Sequence, residues 1–395
     1  MTVTRLEEVV AITMGQAPPG ESYNNKGDGL PLIAGAGDFT PTGIAVKKYT
    51  TSSSKVSNAG DIILGIRASI GDKRVADSEY ALGRGVASLR PTATIDHRYL
   101  WHWLGNIEDE LAGKGKGATF KQVNRQDIAE MLIDVLPLDV QRRIADVLDR
   151  TDELRAKRRR CIALLNDLTQ SIFIDMFGDP VSNSREWSAA TVGDFVERFE
   201  SGKSLAPGHD DSGSKFRVLK VSAVTSRTFN PGESKPLPAG YDPAESHIVR
   251  QGDLLFCRAN GNPDLIGTTA QVGQIEPKYA LPDKLWRFVW KKDRSVDPRF
   301  VHSLFAQPMF HRQIKHSAAG NGVLNISQSK VLSQRVILPS IHRQESFSRQ
   351  AAAIDLDRIR MSDQLRVLDT LFSSLQSRAF AGDLWKDDPK HQEVE

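Results

Sequence analysis

Lysine, arginine and asparagine gather at two glycine-bearing loops of this 395-residue chain. Lys114, Lys116, Lys121 and Arg125 crowd the first, in and after the run Gly113-Lys114-Gly115-Lys116-Gly117. Arg312, Lys315 and His316, with Asn321 and Asn325, occupy the second. Arg67 and Arg258 sit in another matched pair of segments, each followed by alanine. Guanidinium, ammonium and carboxamide groups grip phosphates and read base edges, so these residues offer binding chemistry rather than catalysis. For any single one, a solvated polar loop is the alternative. Recurrence at the same place in two parts of the chain argues against it for the pair. The run Arg155-Ala156-Lys157-Arg158-Arg159-Arg160 reads instead as a solvated or protein-binding helix face.

Catalytic patterns fail on inspection. Gly202-Lys203-Ser204 resembles the end of a phosphate loop, but that loop needs glycine at 197, where Glu197 stands. Gly35-Ala36-Gly37 is followed by Thr40 rather than the third glycine of a dinucleotide fingerprint. There is no Asn/Asp-Pro-Pro-aromatic tetrad of an amino-methyltransferase. The two cysteines, Cys161 and Cys257, are too few and too far apart for a zinc site. His97, His102, His302 and His311 lie on or beside expected helices and read as packing or surface residues. No catalytic residue and no metal site is expected.

The elements that position the loops are organised around one stretch, Pro137 to Pro180. No proline or glycine interrupts it between Asp139 and Phe177, with Asp139 as N-cap and Gly178 at the C-terminal end. Those 39 residues make a helix of roughly 58 Å. Ile144, Val147, Thr151, Leu154, Arg158, Cys161, Leu165, Leu168 and Ile172 step by threes and fours, as a coiled-coil seam does. Phe347, Ala351, Ile354, Arg358, Met361, Leu365, Leu368, Phe372, Leu375 and Ala379 step the same way near the other end, which predicts the partner helix. Val135-Leu136-Pro137 before the first helix matches Ile337-Leu338-Pro339 before the second, with one extra residue ahead of Gln344.

The globular segments repeat too. Gly15-Gln16-Ala17-Pro18 answers the stretch from Gly202 to Pro207, and Gly60-Asp61 answers Gly252-Asp253. Tyr99 to Leu111 answers Phe300 to Ile314, and Gly117 to Asn124 answers Gly320 to Ser327. Short apolar runs between glycine- and proline-rich turns give an α+β class. The expected order is a domain at 1–136, a long helix at 137–180, a domain at 181–339, a long helix at 340–383 and a charged, disordered tail at 384–395. The chain carries 52 basic and 49 acidic side chains and a pI near 8.7, so overall charge does not settle the partner. The second domain is the more basic, with 21 basic against 15 acidic groups. Early Glu7 and Glu8 argue against a targeting peptide, no run approaches a membrane span, and two cysteines suit a reducing cytosol. A soluble cytoplasmic protein is expected.

The Pro-Leu-x-x-Gln-Arg-Arg-Ile-Ala start at Pro137, the seam, and the end Met176-Phe177-Gly178-Asp179-Pro180 resemble the central conserved region of specificity subunits of type I restriction–modification enzymes. The start Leu338-Pro339-x-x-x-Arg343-Gln344 and the run from Leu375 to Trp385 resemble that family's distal conserved region. The resemblance covers essentially the whole chain. It implies two α+β target recognition domains, each reading half of a bipartite site in double-stranded DNA. Two long antiparallel coiled-coil helices would separate them as a ruler, in a pseudo-two-fold internal repeat. It implies a chain that catalyses nothing and binds no cofactor of its own. Two modification subunits would dock on the helices and methylate adenine with S-adenosylmethionine. Restriction subunits would add ATP- and Mg-dependent translocation and cleavage. A recognition subunit of another multisubunit defence system is the alternative. Arg67, Lys114, Lys116, Lys121, Arg125, Arg258, Arg312, Lys315, Asn321 and Asn325 become candidate DNA contacts. Ile144, Leu154, Leu165, Leu168, Ile172, Ile354, Met361, Leu365, Leu368 and Phe372 become candidates for the helix seam.

Overall fold

The computed structural model describes residues 2–117, 121–203, 214–276, 278–293, 296–320 and 323–384. It divides into two compact α+β units, one of residues 1–159 with 363–395 and one of residues 160–362. The tail expected to be disordered lies almost wholly outside the described residues.

In the first unit, Lys73–Val75, Ile62–Gly65, Val86–Pro91 and Val10–Met14 form an antiparallel sheet in that spatial order. In the second, Thr269–Gln271, Leu254–Cys257, Leu285–Trp290 and Val196–Ser201 form an antiparallel sheet in the same order. The duplication legible in the sequence is therefore a duplication of topology. Both central strands are entered through a glycine with φ +88°, Gly60 and Gly252. The aspartate that follows accepts from the backbone three residues back, Asn58 for Asp61 and Arg250 for Asp253, each at 2.9 Å. Burial pushes both carboxyls upward. At Asp61 the hydrogen bonds from Arg90 and Ser88 outweigh it and hold the group below its usual range. At Asp253 burial wins over the Arg250 N–H bond and the Arg287 contact at 3.3 Å, and the group is raised.

The two long helices, Leu138–Phe177 and Ile341–Phe380, are 40 residues each. The first begins one residue earlier than the sequence predicts, so Asp139 lies inside its first turn instead of capping it. There a carboxylate meets the positive end of the helix dipole. Gly178 (φ +75°) and Gly382 (φ +76°) close the two helices in the left-handed conformation. Gln141 and Gln344 are fully buried. Each side-chain amide donates to the carbonyl five residues back, Leu136 or Pro339, at 2.7 Å. Each side-chain oxygen accepts from the aspartate N–H that starts a packed helix, Asp96 at 2.7 Å or Asp297 at 2.9 Å. The repeat thus runs at a constant offset here, and the extra residue expected before Gln344 does not exist. The proline has moved by one position, and the helix register has not.

Inside the first unit, the start of the first long helix packs antiparallel against the end of the second. Ile144 and Leu148 share a core with Ala379, Phe372, Leu375 and Phe380. Further along, the Arg155 guanidinium pairs with Asp152 and Asp369 at 2.7 Å and lies 4.3 Å over the Phe372 ring. Inside the second unit the pairing is also antiparallel. Phe173 and Phe177 share a core with Phe347 and Ala351.

The seam of the second helix follows the expected residues, including Ile354, Met361, Leu365, Leu368 and Phe372, all at least half-buried. In the first helix it differs at alternate steps. Ile144, Leu165 and Ile172 lie on the buried side, but Leu154 is 53% exposed, Leu168 is 44% exposed, and Cys161 is exposed. Leu148, Arg155, Ile162 and Thr169 stand in the seam in place of Val147, Leu154, Cys161 and Leu168. Arg155 can sit there because two carboxylates and a ring satisfy its charge.

His302, on the helix Pro298–Ala306, is largely buried and shares a 2.8 Å hydrogen bond with Thr269 Oγ1. Burial pushes it down to about 4; Asp355 pulls the other way, while Arg227, Arg299 and Arg358 reinforce the burial. The folded ring therefore stays neutral while the unfolded one protonates near pH 6.5. The stability this histidine permits is complete above about pH 6.5 and drains away as the pH falls toward 4. Melting curves of the wild-type protein and His302→Gln at pH 7.5 and 4.5 check this. The wild type is expected to lose more of the second unit's stability on acidification than the variant does.

Candidate nucleic-acid interface

In the first unit, Asp96 caps the helix His97–Asn106 through the N–H groups of Arg98 (3.0 Å) and Tyr99 (3.2 Å). A short helix, Glu108–Gly113, then delivers the chain to the lysine loop. Lys116 and Gln122 exchange backbone hydrogen bonds of 3.0 and 2.9 Å. Gln122 also bridges Arg67, while the Ala68 N–H donates to the Lys121 carbonyl at 3.2 Å. Arg67, Lys116 and Lys121 are thus drawn onto one small ladder, with both lysines exposed. Lys114 and Arg125 turn elsewhere: Lys114 pairs with Glu110 at 3.7 Å and Arg125 with Glu7 at 3.1 Å.

The second unit builds the same ladder from different residues. Ala319 and Asn325 exchange hydrogen bonds of 2.8 and 2.9 Å, and Asn325 pairs with Ala259. The ladder places Asn325 where Gln122 stands in the first unit, and Ala259 where Arg67 stands. Arg258 is therefore not the structural counterpart of Arg67. Its Nε donates to the Asp283 carbonyl at 2.8 Å and its guanidinium lies 5.6 Å over Trp286, a packing role on the sheet. Lys315 is paired with Asp264 and holds that carboxyl below its usual range. Arg312 is exposed and joins Lys315, His311 and Arg227 around a cleft of about 340 Å³. Asn321 lies outside the described residues.

The helix segments ahead of the loops carry opposite charge. Glu108, Asp109 and Glu110 lead into the first loop; His311, Arg312 and Lys315 lead into the second. The first unit holds a further cleft of about 420 Å³, whose wall includes Arg67, Ala68, Gly83, Arg84 and Gly85. Sequence reasoning missed Arg84. Its one signal is the Gly-Arg-Gly triplet, which is too common to single out. Among the described residues, no group of three His, Cys, Asp or Glu side chains could hold a metal ion, and no helix is long and apolar enough to cross a membrane.

Residues 1–163 match the family model described as the type I restriction modification DNA specificity domain. The chain is 32% identical over 155 residues to the putative type I restriction enzyme MjaX specificity subunit of Methanocaldococcus jannaschii, covering 39% of this chain and 36% of that protein. It is 23% identical over 397 residues to the EcoKI specificity subunit of Escherichia coli, covering 91% of this chain and 83% of that one. It thus spans about a third of the first relative's length and most of the second's. The crystal structure of the type I restriction–modification S subunit of M. genitalium has the same fold. It superposes with a TM-score of 0.57 at 14% identity, covering 96% of each chain. A chain from a study of type I complex assembly and conformational transition superposes with a TM-score of 0.54 at 16% identity, over 97% and 98% of the two chains. Family model and relatives agree: residues 1–163 match the DNA specificity domain of type I restriction–modification enzymes, and most of the chain is similar in sequence and fold to specificity subunits of that class.

Proposed function

We propose that this chain is the non-catalytic DNA-recognition subunit of a type I complex and that each unit reads one half of a bipartite target. The observation that carries this is the repeated construction. Each unit has the same sheet order and the same loop ladder, yet each presents different polar groups on it. Gln122, Lys116 and Lys121 in one correspond to Asn325 and uncharged neighbours in the other. Two similar modules that differ in their contact residues suit a split, asymmetric site.

The long helices suit a scaffold for modification subunits. Leu154, Val367 and Leu371 lie exposed on their parts in the first unit, as do Leu164, Leu168, Leu356 and Ile359 in the second. Exposed apolar side chains of this kind on a helix face are typical of partner contact. S-adenosylmethionine would be held by the modification subunits, and ATP with Mg by restriction subunits.

Exchange of residues 1–136 for the equivalent domain of a relative, followed by methylome sequencing of a host carrying the modification subunits, tests this. One half of the methylated motif is expected to change and the other to persist. The purified chain alone is expected to transfer no methyl group. A change in both halves, or methyl transfer by the chain alone, refutes the assignment.

A further inference from the structure

We propose that Arg84 is a base-reading residue of the first unit and that it takes the acceptor edge of a guanine. This rests on the DNA-recognition function proposed above and names the group that carries part of it.

The residue is mounted on a rigid strap. Gly83 N–H donates to Ile33 O at 2.8 Å, Gly85 N–H to Ala34 O at 3.0 Å, and Ile66 N–H to Gly85 O at 3.0 Å. The strap lies so close to its neighbours that no side chain fits on either side of Arg84. A Cβ on Gly83 would stand 2.8 Å from Ala34 Cα, and one on Gly85 would stand 2.6 Å from Ala34 O. Arg84 alone projects. It is exposed and, among the described residues, forms no ion pair. An arginine fixed at its backbone, with its five donors uncommitted, is a ready hydrogen-bonding fork.

Its surroundings suit an acceptor-rich ligand. Arg84 and Arg67 line one cleft, and no carboxylate lines it. The rim between them is strained: Ala68 has φ +63°, a left-handed conformation that costs a residue with a Cβ. The Ala68 N–H is tied to Lys121 O at 3.2 Å, which joins this rim to the lysine ladder. Guanine offers N7 and O6 as paired acceptors on its major-groove edge, and arginine meets both at once.

The second unit differs at this place. Arg258 N–H donates to Lys284 O at 3.1 Å, as Ile66 N–H does to Gly85 O, so Asp283 stands where Arg84 does. The backbone is shared and the charge is reversed. A position that reads bases can differ in this way between two modules with different half-sites.

A phosphate would satisfy the same donors, and the experiment separates the two. Arg84→Ala and Arg84→Lys are made in the full chain, assembled with its modification subunits, and the host methylome is read. Lysine keeps the charge that a phosphate needs and loses the fork that guanine needs. The expected result is the same in both variants. Guanine preference falls about tenfold to a hundredfold at one position of one half-site, the other half stays intact, and the melting temperature is unchanged. A uniform drop in methylation with the motif intact, largely restored by lysine and with a shallower salt dependence, makes Arg84 a phosphate contact and overturns the proposal. An unchanged motif and rate, or failure of both variants to assemble, overturns it as well. If the wild-type chain directs no motif at all, the broader recognition function fails instead, and the wild-type control shows that directly.

Discussion

Removal of residues 363–395 is expected to unfold the first unit and leave the second folded. The deleted segment carries Phe372, Leu375, Ala379 and Phe380, which close the core around Tyr99, Ile144 and Leu148. The Phe380 ring sits 5.3 Å from Tyr99, and the Gln376 side chain donates to His102 O at 3.0 Å. Without Asp369, the largely enclosed Arg155 loses one of its two carboxylates. At about 1.5–3 kcal/mol for each large apolar side chain, the lost burial approaches the whole stability of a typical domain, about 5–15 kcal/mol. Hydrogen exchange on the shortened chain checks this. Strands Ile62–Gly65 and Val86–Pro91 should exchange freely while Leu254–Cys257 and Leu285–Trp290 remain protected. Persisting protection in the first pair would show that its core is complete without the final helix.

Phe173→Ala is expected to destabilise the second unit by about 3–5 kcal/mol, the usual range for deleting a fully buried ring. Phe173 has ring contacts with Phe177 at 5.1 Å, Phe347 at 5.5 Å and Phe300 at 5.6 Å. Three separate segments meet at this one side chain, so alanine leaves a cavity that no single neighbour can fill. Denaturant unfolding, followed by a probe in each unit, should show the loss in the second unit only. A cost below about 1 kcal/mol would mean that the site collapses around the gap and that the ring cluster does not hold the segments together.

The architecture was largely legible because it is written twice. Two long uninterrupted helices, two glycine–aspartate strand entries and two loop signatures mark the α+β repeat in the sequence itself. The seam of the first helix was harder. Leu154, Cys161 and Leu168 are the apolar choices one residue from the seam, while Arg155 and Thr169 occupy it. A pattern search for apolar residues selects the wrong neighbour whenever a buried polar group is satisfied by its partners. The second helix held the correction, because its stripe moved back by the constant offset falls on Leu148, Arg155, Ile162 and Thr169. The match of Arg67 with Arg258 failed for a related reason: identical dipeptides outweighed the strand register that pairs Arg67 with Gln122 and Ala259 with Asn325. Arg84 was invisible because its cleft is assembled from segments near residues 34, 67 and 84, and only folding brings them together.

The closing of the first unit by residues 363–384 also has a consequence in time. A ribosome makes the second unit in one uninterrupted passage, but it must add about two hundred residues after Arg159 before the first unit can be finished. At ~5–20 residues per second, Tyr99, Ile144 and Leu148 wait roughly 10–40 s for their cover. During that interval the nascent chain displays a core surface that chaperones and proteases can recognise. A message cut short before Phe372 yields a product with that surface permanently open, so translation of the last helix is itself a check on the folding of the first unit.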